Sequence, residues 1–399
     1  MKSSSRSSAD PVRRLTVLIA VTAFLYALAN GLGNTLVNDI IESFSIDGAR
    51  QGLIMSTISV GIIAAVIVGP LFQGRVNKLV MITASAGLIG AALIVQGLSA
   101  SAGMFFAVSV VVGIGFGLLD GYINSLMIDI HPGDSAKPMG LLHGSFGVGS
   151  LLLPLGAAAL LGVMLWRGVY VLAGVLMLLL CATLALFFRR DLRAGDSAPA
   201  EKKLTAADIR SFMRDRRSLL LLLFGFAAGC VQTGTTCWVV RYMTLEFRTE
   251  ALGVTCLSCY WIFSTVNRFL IPRLKTRPMK LLIAGCLMNF VLLAGGVALH
   301  TPKVMLIAVC LSGLCSGHFI PMMFIEAAEG YRGSTTLTTF LMSITCTFGR
   351  IVIPLGMAAW SDTLGCRGSM LLPGAAALLG LMSCMLALRQ EKGPSVIHR

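Results

Sequence analysis

The amino-acid sequence predicts an all-α membrane protein of twelve transmembrane helices, arranged as two pseudo-symmetric six-helix bundles. Three observations carry this expectation. Of 399 residues, 56% are hydrophobic and only 13% charged, with a mean hydropathy of +0.84, whereas an ordinary soluble chain carries about 25% charged residues. Apolar runs of about twenty residues, long enough to cross about 30 Å of hydrocarbon as helices, recur from end to end. These runs fall as six, a polar gap, and six.

The predicted spans of the first bundle, 15–188, are 15–41, 52–73, 78–99, 103–130, 139–164 and 167–188. Those of the second, 218–389, are 218–243, 251–271, 279–300, 303–327, 334–358 and 366–389. Residues 1–14 and 390–399 read as cytoplasmic tails. The gap, 189–217, mixes basic and acidic residues as a cytoplasmic linker does. Within it Thr205 and Asp208 have the spacing of a helix cap, and Leu204, Ile209, Phe212 and Met213 line one face of a short helix expected to lie on the membrane. Arg13 and Arg14, followed by an apolar stretch ending in Ala27-Leu28-Ala29, have the outline of a secretory leader. The run continues towards Ile41, too long for a leader, and its removal would leave an odd number of spans.

The formal net charge is +14. A nucleic-acid partner would need those basic residues on one soluble face or tail, but here they sit in short loops. About 25 Lys and Arg fall on the side of the termini and about six opposite, which by the positive-inside rule puts both termini in the cytoplasm of a plasma membrane, the inner membrane if bacterial. The eleven cysteines are scattered, mostly in apolar helices, and read as free buried thiols. Cys256 and Cys259 form a lone C-x-x-C with no second pair and no neighbouring histidine to complete a metal site. With no G-x-x-x-x-G-K-(S/T), H-E-x-x-H or G-x-S-x-G, the chain lacks the usual chemistry of ATP-driven pumping and hydrolysis, so neither an enzyme nor a cofactor is implied.

An ionisable side chain at mid-span costs about 2.5–3.5 kcal/mol, so it should face a partner or a cavity and is a functional candidate. The candidates are Asp39, Asp120, His143, His318 and Arg350, with Asn34, Asn38, Asn124, Gln232 and Asn267 as polar companions. Glu326, close to Glu329 and Arg332, reads as a loop-side charge. Asn34 and Asn38 share a helix face by i, i+4 spacing, beside Thr35 and Asp39. With Glu42 and Asp47 close behind, Asp39 belongs either to the outer half of span one or to the outer loop. In span four Gly113, Gly117, Asp120 and Asn124 recur at three- and four-residue intervals, so an acid and small residues share one stripe; Asp120 either acts in the mechanism or bonds a neighbouring helix. His143 opens the glycine-rich start of span five, in the site or at the interface. Arg350 cannot neutralise itself, so it pairs with an acid or binds an anionic or hydroxyl-rich solute. His318 either titrates or packs.

The halves echo one another. Phe146-Gly147 with Pro154 in span five parallels Phe348-Gly349 with Pro354 in span eleven, and basic turns, Arg75/Lys78 and Arg268/Arg273, follow spans two and eight. These features resemble the major facilitator superfamily, built from parallel six-span repeats. Within it the chain resembles the fucose permease-like branch, the fucose–galactose–glucose:proton symporters. The likeness rests on Leu36-Val37-Asn38-Asp39, on Gly117-Leu118-Leu119-Asp120 with Asn124, and on Leu142-His143, Phe146-Gly147 and Gly149 before Pro154. It rests also on Phe226, Gln232, Trp238 and Tyr242 in span seven, where Gln232 stands in place of many members' glutamate. The superfamily's loop signature, G-x-L-x-D-R-x-G-R-K, survives as Gly69 to Lys78 without its aspartate.

Residues and resemblance together lead to the expectation of a monomeric secondary transporter, a symporter that carries protons together with a small polar solute such as a monosaccharide across the lipid bilayer by alternating access. Asp39 and Asp120 are the expected proton carriers, because a carboxyl group in water-poor surroundings holds a proton more readily. Asn34, Asn38, Asn124, His143, Gln232, Trp238, Asn267, His318 and Arg350 are the expected substrate contacts, with Trp238 stacking on a sugar face and the amides bonding hydroxyls. Two alternatives stand beside this reading: an antiporter or exporter of organic anions or drug-like solutes, and a non-transporting receptor or scaffold.

Overall fold

A computed structural model of the chain describes residues 6–46, 53–188, 202–331 and 333–391. Residues 1–5 and 392–399 of the expected tails, 189–201 of the expected linker, Asp47 and Arg332 lie outside the described residues. The chain divides into two compact units, Met1–Leu204 and Thr205–Arg399. Unit 1 contains α1 (Arg6–Asn30), α2 (Leu32–Thr35), α3 (Val37–Phe44), α4 (Leu53–Val68) with a 3₁₀ turn at Gly69–Phe72, α5 (Lys78–Gly97), α6 (Ala102–Asp129), α7 (Ala136–Leu161) and α8 (Trp166–Phe187). Unit 2 contains α9 (Ala206–Arg214), α10 (Arg216–Phe247), α11 (Glu250–Leu270) with a 3₁₀ turn at Ile271–Arg273, α12 (Pro278–Leu299), α13 (Pro302–Ser316), α14 (Phe319–Gly330), α15 (Thr335–Ser369) and α16 (Leu372–Glu391).

Among the described residues, eleven helical stretches are long and apolar enough to cross a membrane, and Ser56–Phe72 is a shorter apolar twelfth. Their outward surfaces match their interiors in polarity: Leu155, Val163, Leu165, Leu186 and Leu355 are all largely exposed. Such a surface suits lipid, where each backbone group must be satisfied within its own helix. Polar side chains start several of these helices. Asn77 accepts from Leu79 N at 2.8 Å to begin α5, Asp215 from Ser218 N at 2.9 Å to begin α10, and Ser334 from Leu337 N at 2.9 Å to begin α15, each satisfying one of the first-turn donors that a helix leaves open.

The two units pack their helices alike. In unit 1 α4 lies along α6 and α1 along α7; in unit 2 the corresponding pairs are α11 with α13 and α10 with α15. Glycine permits the close approach in both. A side chain on Gly113 would collide with the Ile58 carbonyl of α4, and one on Gly313 with the Tyr260 carbonyl of α11. We therefore expect Gly113→Ala to cost about 1–3 kcal/mol in thermal unfolding of the detergent-purified protein, the usual penalty of overpacking. Gly156→Ala, in a place where nothing lies within 4 Å, should be neutral or slightly stabilising; equal effects at the two positions would remove the close-packing account. The repeated prolines, Pro154 within α7 and Pro354 within α15, each remove one helical hydrogen bond.

Four sequence expectations need correction. Span one is not one helix over 15–41: it breaks at Gly31 and again at Leu36, whose φ of −106° and ψ of 18° leave the helical range. The i, i+4 alignment expected of Asn34 and Asn38 is interrupted there, because both glycine neighbours, Gly31 and Gly33, weaken the helix locally. Lys78 does not stay in the basic turn; it opens α5, buried and ion-paired with Asp129 at the end of α6, with Ser125 Oγ also within 2.6 Å. Glu326 is not a loop-side charge but a buried carboxylate in α14, paired with Arg217 and accepting from Met279 N at 3.1 Å. Arg268 is not in a turn; it lies within α11, 5% exposed, its Nε donating to the Gly317 carbonyl at 3.2 Å.

In the loop after α6, His131 Nε2 donates to Thr16 Oγ1 at 2.8 Å, since the Thr16 hydroxyl is itself spent on the Val12 carbonyl. Burial holds the His131 pKa below its ordinary value, with Asp134 pulling the other way. In α9 the Thr205 and Asp208 cap is formed. Of the expected apolar face only Phe212 is buried, edge-on to Tyr331 at 5.1 Å, while Ile209 and Met213 are exposed.

Candidate functional site

In unit 1 the structure draws three of the sequence candidates into one hydrogen-bonded chain. Asp120 and Asn124 stand one turn apart on α6, and His143 faces them from α7. Asn124 is fully buried. Its Nδ2 donates to the backbone carbonyl of Asp120 at 2.8 Å and to Asp120 Oδ1 at 3.2 Å. A backbone carbonyl can only accept, so this fixes the amide orientation and turns Asn124 Oδ1 towards His143 Nε2, 2.9 Å away. The imidazole must then carry a proton on Nε2. Asp120 and His143 are half-buried, and a change of charge on either reaches the other through one locked amide.

Asn34, Asn38 and Asp39 lie apart from that chain along the broken segment. Asn34, in α2, and Asn38, in α3, are exposed, and Asp39 is half-buried in the first turn of α3, beyond the apolar stretch Pro11–Thr35. Asp39 is therefore helical and not part of a loop.

In unit 2 the candidates form two pairs. Arg350 of α15, exposed, donates through Nη2 to Gln232 Oε1 of α10 at 2.9 Å. Asn267 of α11 and His318, at the break between α13 and α14, are both buried, with Asn267 Oδ1 3.1 Å from His318 Nδ1 and the Leu281 carbonyl of α12 3.0 Å from His318 Nε2. A carbonyl only accepts, so Nε2 bears a proton. His318 is thereby held as a packed, hydrogen-bonded residue tying three helices together. Trp238 is half-buried, with the Arg241 guanidinium 5.4 Å from its ring centroid, a cation–π distance.

Sequence reasoning missed part of this set. Arg268 lies beside Asn267 and within electrostatic reach of Arg350 and of the fully buried Tyr260, whose hydroxyl bonds Ser316 Oγ at 2.9 Å. The available signal was an arginine flanked by Phe263, Val266, Phe269 and Leu270, an apolar context in which a basic turn does not occur.

Six apolar stretches in each of two like units, with acid, imidazole, amide and guanidinium groups held inside them, define a polytopic membrane transporter. The sequence model of the Major Facilitator Superfamily matches residues 19–354, and the chain belongs to that family, a family of transporters and not of enzymes. Among curated proteins none matches the sequence significantly. The fold is similar to that of the transporter FucP in its outward conformation, with a TM-score of 0.78 and 17% identity over 93% of this chain and 98% of that one. It is similar to a variant of the E. coli fucose:proton symporter FucP, with a TM-score of 0.77 and 17% identity over 94% of this chain and 99% of that one. The human organic anion transporter MFSD10 (TETRAN) gives a TM-score of 0.74 and 14% identity over 94% and 99%. At such identities the likeness is one of fold.

Proposed function

We propose that this member of the family is a proton-coupled symporter of a small polar solute, such as a monosaccharide, working by alternating access as a monomer. The observation that carries this reading is the Asp120–Asn124–His143 chain. It joins a carboxylate to an imidazole, the side chain that ordinarily takes up a proton near neutrality, through an amide that cannot itself titrate. Asp120 is the proton carrier, and His143 reports its charge. Asp39 is the second candidate for the coupling role. In unit 2 Gln232 and Arg350 supply hydroxyl-bonding groups and Trp238 a stacking face, with Asn267 and His318 a packed pair in the same unit; in unit 1 Asn34 and Asn38 supply further hydroxyl-bonding groups. The bias of basic residues towards the side of the termini supports cytoplasmic termini.

Thermal unfolding of the purified chain in the presence of sugars, organic acids and drug-like solutes, at two pH values, tests the substrate class. A cognate monosaccharide at 100 times its Kd stabilises by about 2.7 kcal/mol, and we expect the greater affinity at the more acidic pH. Stabilisation by organic anions alone would favour the second reading, an exporter or antiporter, which the exposed Arg350 guanidinium supports as a group that bonds anionic oxygens. Uptake against efflux in vesicles separates those two. An absence of solute flux would favour a receptor or scaffold.

A further inference from the structure

His300 ends α12 in the left-handed conformation, with φ 44° and ψ 49°. Glycine or asparagine fills such a helix end at ordinary sites, because a larger side chain is strained there. This histidine is held by two contacts. Its Nε2 stands 3.1 Å from Glu246 Oε2, in the last turn of α10, and its ring centroid lies 4.9 Å from that of Phe247. The α10 end is closed in the same unusual way, by Arg248 at φ 52°. Two left-handed helix ends are thus joined by one imidazole–carboxylate contact, 36% and 23% exposed on its two sides, at the ends of two apolar stretches.

The other titratable and charged groups around the contact are few. Arg367, of α15, donates to the Val297 and Ala298 carbonyls at 3.1–3.3 Å, so its charge is spent on the last turn of α12. Tyr242 and Cys366 lie within electrostatic reach of Glu246, and Arg241 within reach of Cys366. Lys303, at the start of α13, and Glu250, at the start of α11, are exposed.

We propose that His300 and Glu246 form a proton-binding latch: protonation of the imidazole ties the end of α10 to the end of α12, and deprotonation releases them. Imidazole is the side chain that changes charge between about pH 5 and 8. A cationic ring attracts the carboxylate, whereas a neutral ring retains one ordinary hydrogen bond at most. The tie is therefore stronger with the imidazole protonated than with it neutral. Spans seven and nine, so joined, carry Gln232 and, through the Leu281 carbonyl, the seat of His318. The latch faces the outer medium if the termini are cytoplasmic; its pH response does not depend on that placement, nor on whether the chain couples solute to protons.

Hydrogen–deuterium exchange of the full-length purified protein at pH 5.5 and 7.5, corrected for the intrinsic rate at each pH, tests this. In the parent protein, peptides covering 243–250 and 296–302 should exchange about threefold more slowly at pH 5.5, the factor a part-exposed ion pair supplies. His300→Asn keeps a residue suited to the left-handed helix end, and Glu246→Gln keeps size; both should lose the difference. A pH response that persists in His300→Asn, or that is absent from the parent, overturns the proposal.

Discussion

Asp120→Asn should abolish proton-driven accumulation of solute while leaving solute exchange. Asparagine is nearly isosteric, and its carbonyl oxygen can still accept from Asn124 Nδ2, which the backbone carbonyl of residue 120 holds at 2.8 Å in any case. The scaffold survives, and what is lost is the ability to carry a proton. One pH unit is worth about 1.36 kcal/mol, so a gradient of about two units, coupled one to one, sustains an accumulation of about 100-fold. The variant should show no accumulation above the outside concentration. Exchange continues because it does not require the proton to leave. Normal concentrative uptake by Asp120→Asn in proteoliposomes would remove Asp120 from the mechanism, and the same measurement on Asp39→Asn decides the part of that residue.

Glu326→Ala should lower stability by about 3–5 kcal/mol, the cost of leaving a buried ion without its partner. Glu326 is 5% exposed, and its carboxylate serves two helices, pairing with Arg217 at the start of α10 and accepting from Met279 N at the start of α12. Replacing both partners by apolar groups, Glu326→Leu with Arg217→Met, should recover most of the loss, because no charge is then stranded. Thermal or denaturant unfolding of the purified variants provides the comparison. A single variant within about 1 kcal/mol of the parent would mean that the pair behaves as a surface ion pair does. Asp129 and Lys78 form the counterpart in unit 1. In each unit a carboxylate from the end of one apolar stretch meets the start of another.

How much of this was legible beforehand depends on the range over which each signal acts. Apolar runs of about twenty residues are a local property with few rival explanations, so twelve stretches in two sets could be read from hydropathy. Hydropathy does not register backbone breaks, and the interruptions at Gly31, at Leu36 and before Phe319 lie inside runs that are apolar on average despite Asn34, Asn38 and His318. The Asp120 and Asn124 pairing was legible because one turn of helix separates them. His143 could be named as a candidate, but its contact with Asn124 depends on how α7 packs against α6. In sequence Lys78 and Glu326 read as boundary charges because their partners are 51 and 109 residues away, and burial of a charge is visible only once its partner is. The aspartate missing from the loop signature also has a structural counterpart: Gln73, buried, donates to the Lys202 carbonyl at 2.9 Å, a bond that a carboxylate cannot make.

Proton-coupled symport requires solute and proton to move together. Proteoliposomes loaded with a pH-sensitive dye, held without an imposed gradient and given the solute identified by thermal stabilisation, measure this directly. Acidification of the lumen on solute addition, absent in Asp120→Asn liposomes, is the expected result. Solute entry with no change in lumenal pH, in protein shown to be active, would contradict proton coupling.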